Sequence, residues 1–293
     1  PVPHCTSRSR SSYVARTSPV GPETAREALA WRFRVMADRH GGRAVFYQVD
    51  AENLPLYLDL GLTAMKLGEE GVVSLAGFSL EGSARKELRQ AHRRAQLEGL
   101  SFEVVPPAAV PALMDELRQV SDTWLAEKHT REKGFALAYF QPAYLAHFPC
   151  ALVRLNGRVV AFANVLASAG RRELSIDLMR HLPEAPNGIM DYLFIELMLW
   201  GAREGYSQFN LGMAPLSGLE SHPLPPLWHR LGTLIFQHGE HFYNFEGLRA
   251  YKDKFSPVWL PKYLAAPGGL GLPTVLLDVA ALIAGSIKGV FSR

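Results

Sequence analysis

The chain has 293 residues with 31 Lys and Arg against 28 Asp and Glu, a net charge of +3, so it is no polycation, and any nucleic-acid contact has to come from a local patch. That length suits one large or two ordinary domains, and two are expected. Two cysteines, Cys5 and Cys150, provide neither a disulfide framework nor metal-ligand spacing, which fits a reducing compartment.

Residues 1–20 are rich in Ser, Arg and Pro and lack the apolar stretch of a signal peptide; they read as a linker from a longer protein. Helical periodicity over 25–39 (Leu29, Trp31, Phe33, Met36) ends at Gly41-Gly42, before the strand-like "RAVFYQV". "LPLYLDLG" reads as a short helix closed by Gly61, and "LTAMKLGEEGVVSL" as two strands around a Gly-containing turn. A basic helix over 84–98, the strand "SFEVVP" and a long helix "PALMDELRQVSDTWLAEK" follow.

The second half starts over with a hairpin that turns at Asn156-Gly157. "ELSIDLMR" is the next strand, "PNGIMDYLFIELMLWGAREGY" a helix capped at Asn187, and "SQFNLGM" another strand. The expected fold is α/β (α+β): two tandem acetyltransferase-like (GNAT-like) units at 21–110 and 131–265, a connecting helix at 111–130 and a C-terminal amphipathic segment at 266–293. In that last segment Leu276, Val279, Ile283, Ile287 and Val290 share one face, with Asp278, Ala281, Gly285 and Lys288 opposite, as in a helix that lies on a membrane or packs on the fold. Binding at the membrane interface is the expectation.

"ELSIDLMR", "PNGIMDYLFIELMLWGAREGY", "FNLGMAPLSGL" and "YNFEGLRAYKDKFSPVWLPKYL" resemble the cytosolic synthase domain of the multiple peptide resistance factor family, the aminoacyl-phosphatidylglycerol synthases. The resemblance runs from about 25 to 264. It implies a tandem GNAT-like fold behind an N-terminal transmembrane domain, at the cytoplasmic face of the bacterial inner membrane. It also implies transfer of an amino acid from aminoacyl-tRNA to phosphatidylglycerol, altering membrane surface charge and resistance to antimicrobials. No cofactor is expected: the loop "RHLPEAPNGIMD" has one glycine where an acyl-CoA enzyme needs several to bring backbone amides to a pyrophosphate.

Transesterification needs the amino acid's ammonium held, the hydroxyl placed and the charge on the carbonyl and phosphate balanced. Alternation puts Ser175, Asp177 and Met179 on one face of "LSIDLMR", so that face is either solvated or a site. The resemblance maps Asp177 and Arg180 to the active site, which requires the strand to end or bend before Arg180. Glu240 and Glu246 flank "HFYNF", where burial would demand a cationic partner such as Arg249 or a substrate ammonium. Lys252 is the expected cation near the lipid phosphate or transferred carbonyl, braced by Arg249, with Lys254 facing solvent. The plainer alternative is a salt-bridged surface helix.

Tyr144, Asn210 and Ser217, with Gly212, are candidates for shaping the substrate pocket. Structural roles are equally open to them. Arg85, Lys86, Arg89 and Arg93 in "RKELRQAHRRAQ" form a candidate tRNA surface, or only a soluble basic face, Arg85, Arg89, His92 and Arg93 sharing one side. His222, His229, His238 and His241 lack metal-ligand spacing, so no metal is expected. Alanine is favoured over lysine because no second acidic pocket is evident. Two alternatives stay open: a FemX-like transferase acting on a peptidoglycan precursor, and a non-catalytic lipid- or tRNA-binding module.

Overall fold

Two parallel strand pairs, each with a helix crossing between its members, organise the chain. They are β2 (Ser12–Arg16), α1 (Glu23–Arg39) and β3 (Arg43–Asp50), and then β8 (Glu173–His181), α6 (Ile189–Arg203) and β9 (Gln208–Pro215). Parallel neighbours need such a crossover, whereas antiparallel ones can be joined by tight turns. The computed structural model describes residues 6–19, 21–128, 139–219 and 245–283.

The other strands are β1 (Thr6–Ser9), β4 (Thr63–Ser74), β5 (Leu100–Val105), β6 (Cys150–Leu155), β7 (Arg158–Ala167) and β10 (Val258–Ala266). All ten form one sheet in the order β1-β2-β3-β10-β4-β9-β8-β7-β6-β5. Strands from the two halves of the sequence interleave in it. β10 lies between β3 and β4, and β5 pairs with β6 at the far edge. The α/β class with a GNAT-like arrangement stands, within a single sheet. The predicted connecting helix is α4 (Val110–Glu127), which packs on β7 and β8.

Three local expectations change. Residues 6–16, read as linker, form β1 and β2; Ser12 and Val14 are buried in alternation, a pattern short enough to be hidden among the surrounding Ser and Arg. "LTAMKLGEEGVVSL" is not a hairpin, because β4 runs through both glycines. A Cβ on Gly68 would lie 2.3 Å from the Ala214 carbonyl oxygen, so this glycine marks close backbone approach rather than a turn. The cap of α6 is Gly188, at φ +84°, rather than Asn187. The Asn156-Gly157 hairpin forms as read, with φ of +52° and +81°.

The main core fills the β4–β9 half of the sheet under α4, α6 and α3 (Lys86–Leu97). The β2–β3–β10 region has a core on each face: Ala44 and Phe46 meet α1 and α2 (Leu54–Asp59), while Val45 and Tyr47 meet α8 (Leu272–Ile283). Helix α8 buries Val275, Leu276 and Val279 in the sheet, so the expectation of a free interfacial helix does not hold for its described residues. Asp278, assigned from spacing to the polar face, is 1% exposed and accepts the Ser12 hydroxyl at 2.7 Å. Among the described residues no helix is long and apolar enough to cross a membrane.

Candidate functional site

The pairing of β8 with β9 covers Glu173–Gln208, Leu174–Phe209 and Ser175–Asn210, and then stops. Both strands continue, β8 held by β7 and β9 by β4, so they part and leave a wedge at their carboxyl ends. Each has a bulge where the gap opens. On β8 the register shifts around Asp177, and Asn164 Oδ1 accepts the Leu178 N–H at 2.6 Å. On β9 Leu211 and Gly212 bulge out opposite Gly71, with Gly212 at φ +78° and its N–H donated to Asn210 Oδ1 at 2.7 Å. Bulges re-aim side chains, and ligands favour the carboxyl ends of diverging parallel strands.

On the β8 lip, Asp177 Oδ2 accepts the Tyr144 hydroxyl at 3.0 Å, Tyr144 being supplied by the short α5 (Pro142–Leu145). The Arg180 guanidinium stacks 4.2 Å from the ring centroid of Trp124 on α4. Strict alternation would send Asp177 and Arg180 to opposite faces, and the bulge between them turns both toward the α4/α5 layer.

The β9 lip is formed with α7 (Phe245–Asp253). Tyr251 and Phe255 pack on Phe194 of α6, with ring centroids 5.9 and 5.6 Å away. This seats Lys252 against β9, 6% exposed, where its Nζ donates to the carbonyls of Gly212 and Met213 at 3.0 Å each. The aromatic backing of its helix buries this side chain. Burial pushes its pKa down to about 8, against an upward pull from Glu70.

Among the described residues Arg249 does not brace Lys252. Its guanidinium bonds Glu69 Oε2 at 2.5 Å and lies 4.3 Å from the centroid of Trp259. Glu69 also accepts Lys66 at 2.9 Å and Ser217 at 3.0 Å. Burial pushes the Glu69 pKa up, but the Lys66, Arg249 and Ser217 donors outweigh it and hold the carboxyl below its usual value. Lys254, expected in solvent, pairs with Asp191 in the first turn of α6 at 3.1 Å. Glu240, the Glu246 side chain and His222, His229, His238 and His241 lie outside the described residues.

The basic helix divides. Arg85 donates to the Phe255 carbonyl at 3.0 Å, and Arg89 to those of Leu80 and Gly82 at 2.6 and 3.0 Å, so both tie the fold together. His92 leaves the expected basic face to pair with Glu196 of α6 at 2.8 Å. Lys86, Arg93 and Arg94 are exposed.

The profile of the family described as phosphatidylglycerol lysyltransferase, C-terminal, matches residues 5–266. The chain belongs to this family. Among curated relatives, the phosphatidylglycerol lysyltransferase of Bacillus subtilis is 41% identical over 254 residues, covering 86% of this chain and 29% of the relative. That of Staphylococcus aureus MRSA252 is 35% identical over 255 residues, 87% of this chain and 30% of the relative. The chain thus spans under a third of these relatives' length.

Among solved structures, the C-terminal domain of a putative lysylphosphatidylglycerol synthetase from Agrobacterium fabrum superposes with a TM-score of 0.87 at 44% identity, covering 97% of this chain and 86% of that one. L-PGS from Bacillus licheniformis gives 0.86 at 39% identity, with the same coverages. FemX, at 0.57 and 9% identity over 95% of this chain and 85% of its own, shares the fold alone. In this lysyltransferase-family chain, sequence reading missed Glu69, beside the glycine read as a turn, its partner Lys66, and Trp124 and Trp259, which gave no local signal.

Proposed function

We propose that this domain transfers an aminoacyl group from aminoacyl-tRNA to phosphatidylglycerol, and that the reaction occurs in the wedge between β8 and β9. The observation that carries the reading is Asp177 at the mouth of the gap: one oxygen accepts Tyr144, and among the described residues the other accepts no hydrogen bond. A half-buried carboxylate with a spare oxygen suits the ammonium of an incoming amino acid.

The acceptor hydroxyl oxygen attacks the ester carbonyl carbon, and the hydroxyl proton departs. The bond from that carbon to the tRNA ribose oxygen breaks, and the ribose oxygen takes a proton. One ester replaces another, so no oxidant or energy source is consumed. Lys252, fixed by two backbone carbonyls, supplies a pre-organised cation for the carbonyl oxygen or lipid phosphate. Asn210 and Gly212 shape its lip, and Arg180 on Trp124 borders the other.

Asp191 occupies the first turn of α6, where Lys254, just after α7, pairs with it. A carboxylate there opposes pyrophosphate binding at the helix N-terminus, which supports a donor other than acyl-CoA. Lys86, Arg93 and Arg94 are the residues of the basic helix free to meet a tRNA backbone. For the amino acid, the relatives' names favour lysine over the alanine expected from sequence, and lysine is adopted. An N-terminal membrane domain is proposed for the remaining length of the relatives, with this domain on the cytoplasmic side.

The test is incubation with labelled Lys-tRNA, in parallel with Ala-tRNA, and phosphatidylglycerol, followed by lipid extraction. Label in the lipid fraction that depends on Asp177 supports the proposal. No lipid label from either donor overturns it.

A further inference from the structure

Helix α1 buries one side against the sheet through Ala30 and Ala37 and leaves the other uncovered. Along the uncovered side Ala28, Trp31, Arg32, Val35, Met36 and Arg39 are joined by i,i+3 and i,i+4 neighbours into a single stripe. Trp31 is 42% exposed, Val35 41% and Met36 36%, with Leu29 at 38% beside them. A groove lined by Trp31, Arg32, Val35, Met36, Arg39 and His40 runs along it. No acid lies within the stripe. Glu27 and Asp38 stand at its margin, Asp38 held by Arg34 at 3.2 Å, and Arg34 itself turns inward to the Leu60 carbonyl.

An exposed tryptophan flanked by aliphatic side chains, with two arginines and no interspersed carboxylate, matches the chemistry of a membrane–water interface. The indole sits at headgroup level, the aliphatic groups reach the acyl boundary, and the guanidiniums meet anionic phosphates. We infer that the α1 face is a docking surface for an anionic phospholipid bilayer. The described residues of α8, the segment expected from sequence at a membrane interface, bury Val275, Leu276 and Val279 in the sheet, whereas the outer side of α1 is exposed. The inference rests on the proposed lipid acceptor only for its purpose; vesicle binding is measured independently of transfer.

Flotation with phosphatidylcholine vesicles, and with phosphatidylcholine vesicles containing phosphatidylglycerol, tests it. The wild-type chain should float with the anionic vesicles. Each arginine near such a surface contributes about fivefold, so Arg32→Gln/Arg39→Gln should weaken partitioning by about twenty-fivefold, and Arg32→Glu/Arg39→Glu by a larger factor. Brominated acyl chains should quench tryptophan fluorescence in the wild type, and Trp31→Phe should abolish that quenching. All these side chains are exposed, so thermal unfolding should be unchanged. Equal partitioning of the charge variants, or quenching that survives Trp31→Phe, would overturn the inference.

Transfer to detergent-dispersed phosphatidylglycerol separates the two readings. The α1 variants should retain it while losing transfer to vesicles. A wild-type chain that binds vesicles but aminoacylates neither form of the lipid would refute the proposed function and leave the docking surface standing.

Discussion

The ammonium of Lys252 sits 3.0 Å from the carbonyl oxygen of Gly212, so the aromatic-backed helix α7 is anchored on the bulge that opens the wedge. A lysine held this way is at once a structural tie and a fixed charge beside the gap.

Its ionisation sets a pH dependence. With the folded pKa lowered to about 8 from 10.5, half of the cation is lost by about pH 8. If transfer needs that cation, the rate should fall as pH rises through about 8, and Lys252→Arg should move the decline to higher pH. The stability effect has the opposite sign: between about pH 8 and 10.5 the unfolded chain binds the extra proton, so this group makes the native state relatively more stable as pH rises. Urea titrations of wild type and Lys252→Met across that range should show the difference, and parallel curves would argue against a buried ammonium.

Asp177→Asn keeps the shape but removes the charge. Turnover should fall by about a hundredfold or more, the effect of losing one pre-organised charged contact. Tyr144→Phe removes only the donor to Asp177 and should cost about tenfold. Initial rates of lipid labelling check both, and a larger loss for Tyr144→Phe than for Asp177→Asn would reverse the assigned roles.

Glu69 has a depressed folded pKa, so its stabilisation is complete above its unfolded pKa and is lost as pH falls through the lower folded value. Glu69→Gln should be less stable than wild type at neutral pH, and the gap should narrow in acid. Thermal melts across pH 3–7 (roughly the carboxylate range) measure it.

Gly68→Ala should be strongly destabilising, by about 3 kcal/mol or more, because the new Cβ would lie 2.3 Å from a strand carbonyl that has little room to move. Gly157→Ala, with nothing within 4 Å but φ at +81°, should cost less, about 1–2 kcal/mol. Denaturant midpoints of the two variants give the ranking.

The second half of the fold was legible because its signals are local: the Asn156-Gly157 turn, the apolar α6 and the alternating β8. β1 and β2 were not, since two short strands among Ser and Arg acquire their pattern only by pairing, β2 with β3 and β1 with β2. Gly68 and Gly71 looked like turn residues because a glycine forced by a neighbouring strand has the same one-letter sign as one forced by a turn. Of the candidate site residues, Asp177, Tyr144 and Lys252 could be named from strand phase, aromatic context and family likeness. Lys252's burial and the Arg249–Glu69 pair could not, because both depend on partners 39 to 180 positions away.

The most direct measurement is the rate at which labelled lysine passes from Lys-tRNA into extractable phosphatidylglycerol, compared among the wild-type chain, Asp177→Asn and Lys252→Arg. The account predicts lipid labelling by the wild type, a loss of about a hundredfold or more for Asp177→Asn, and for Lys252→Arg a profile that persists at higher pH. Labelling by Asp177→Asn at the wild-type rate, in a folded protein, would contradict the placement of the reaction between β8 and β9.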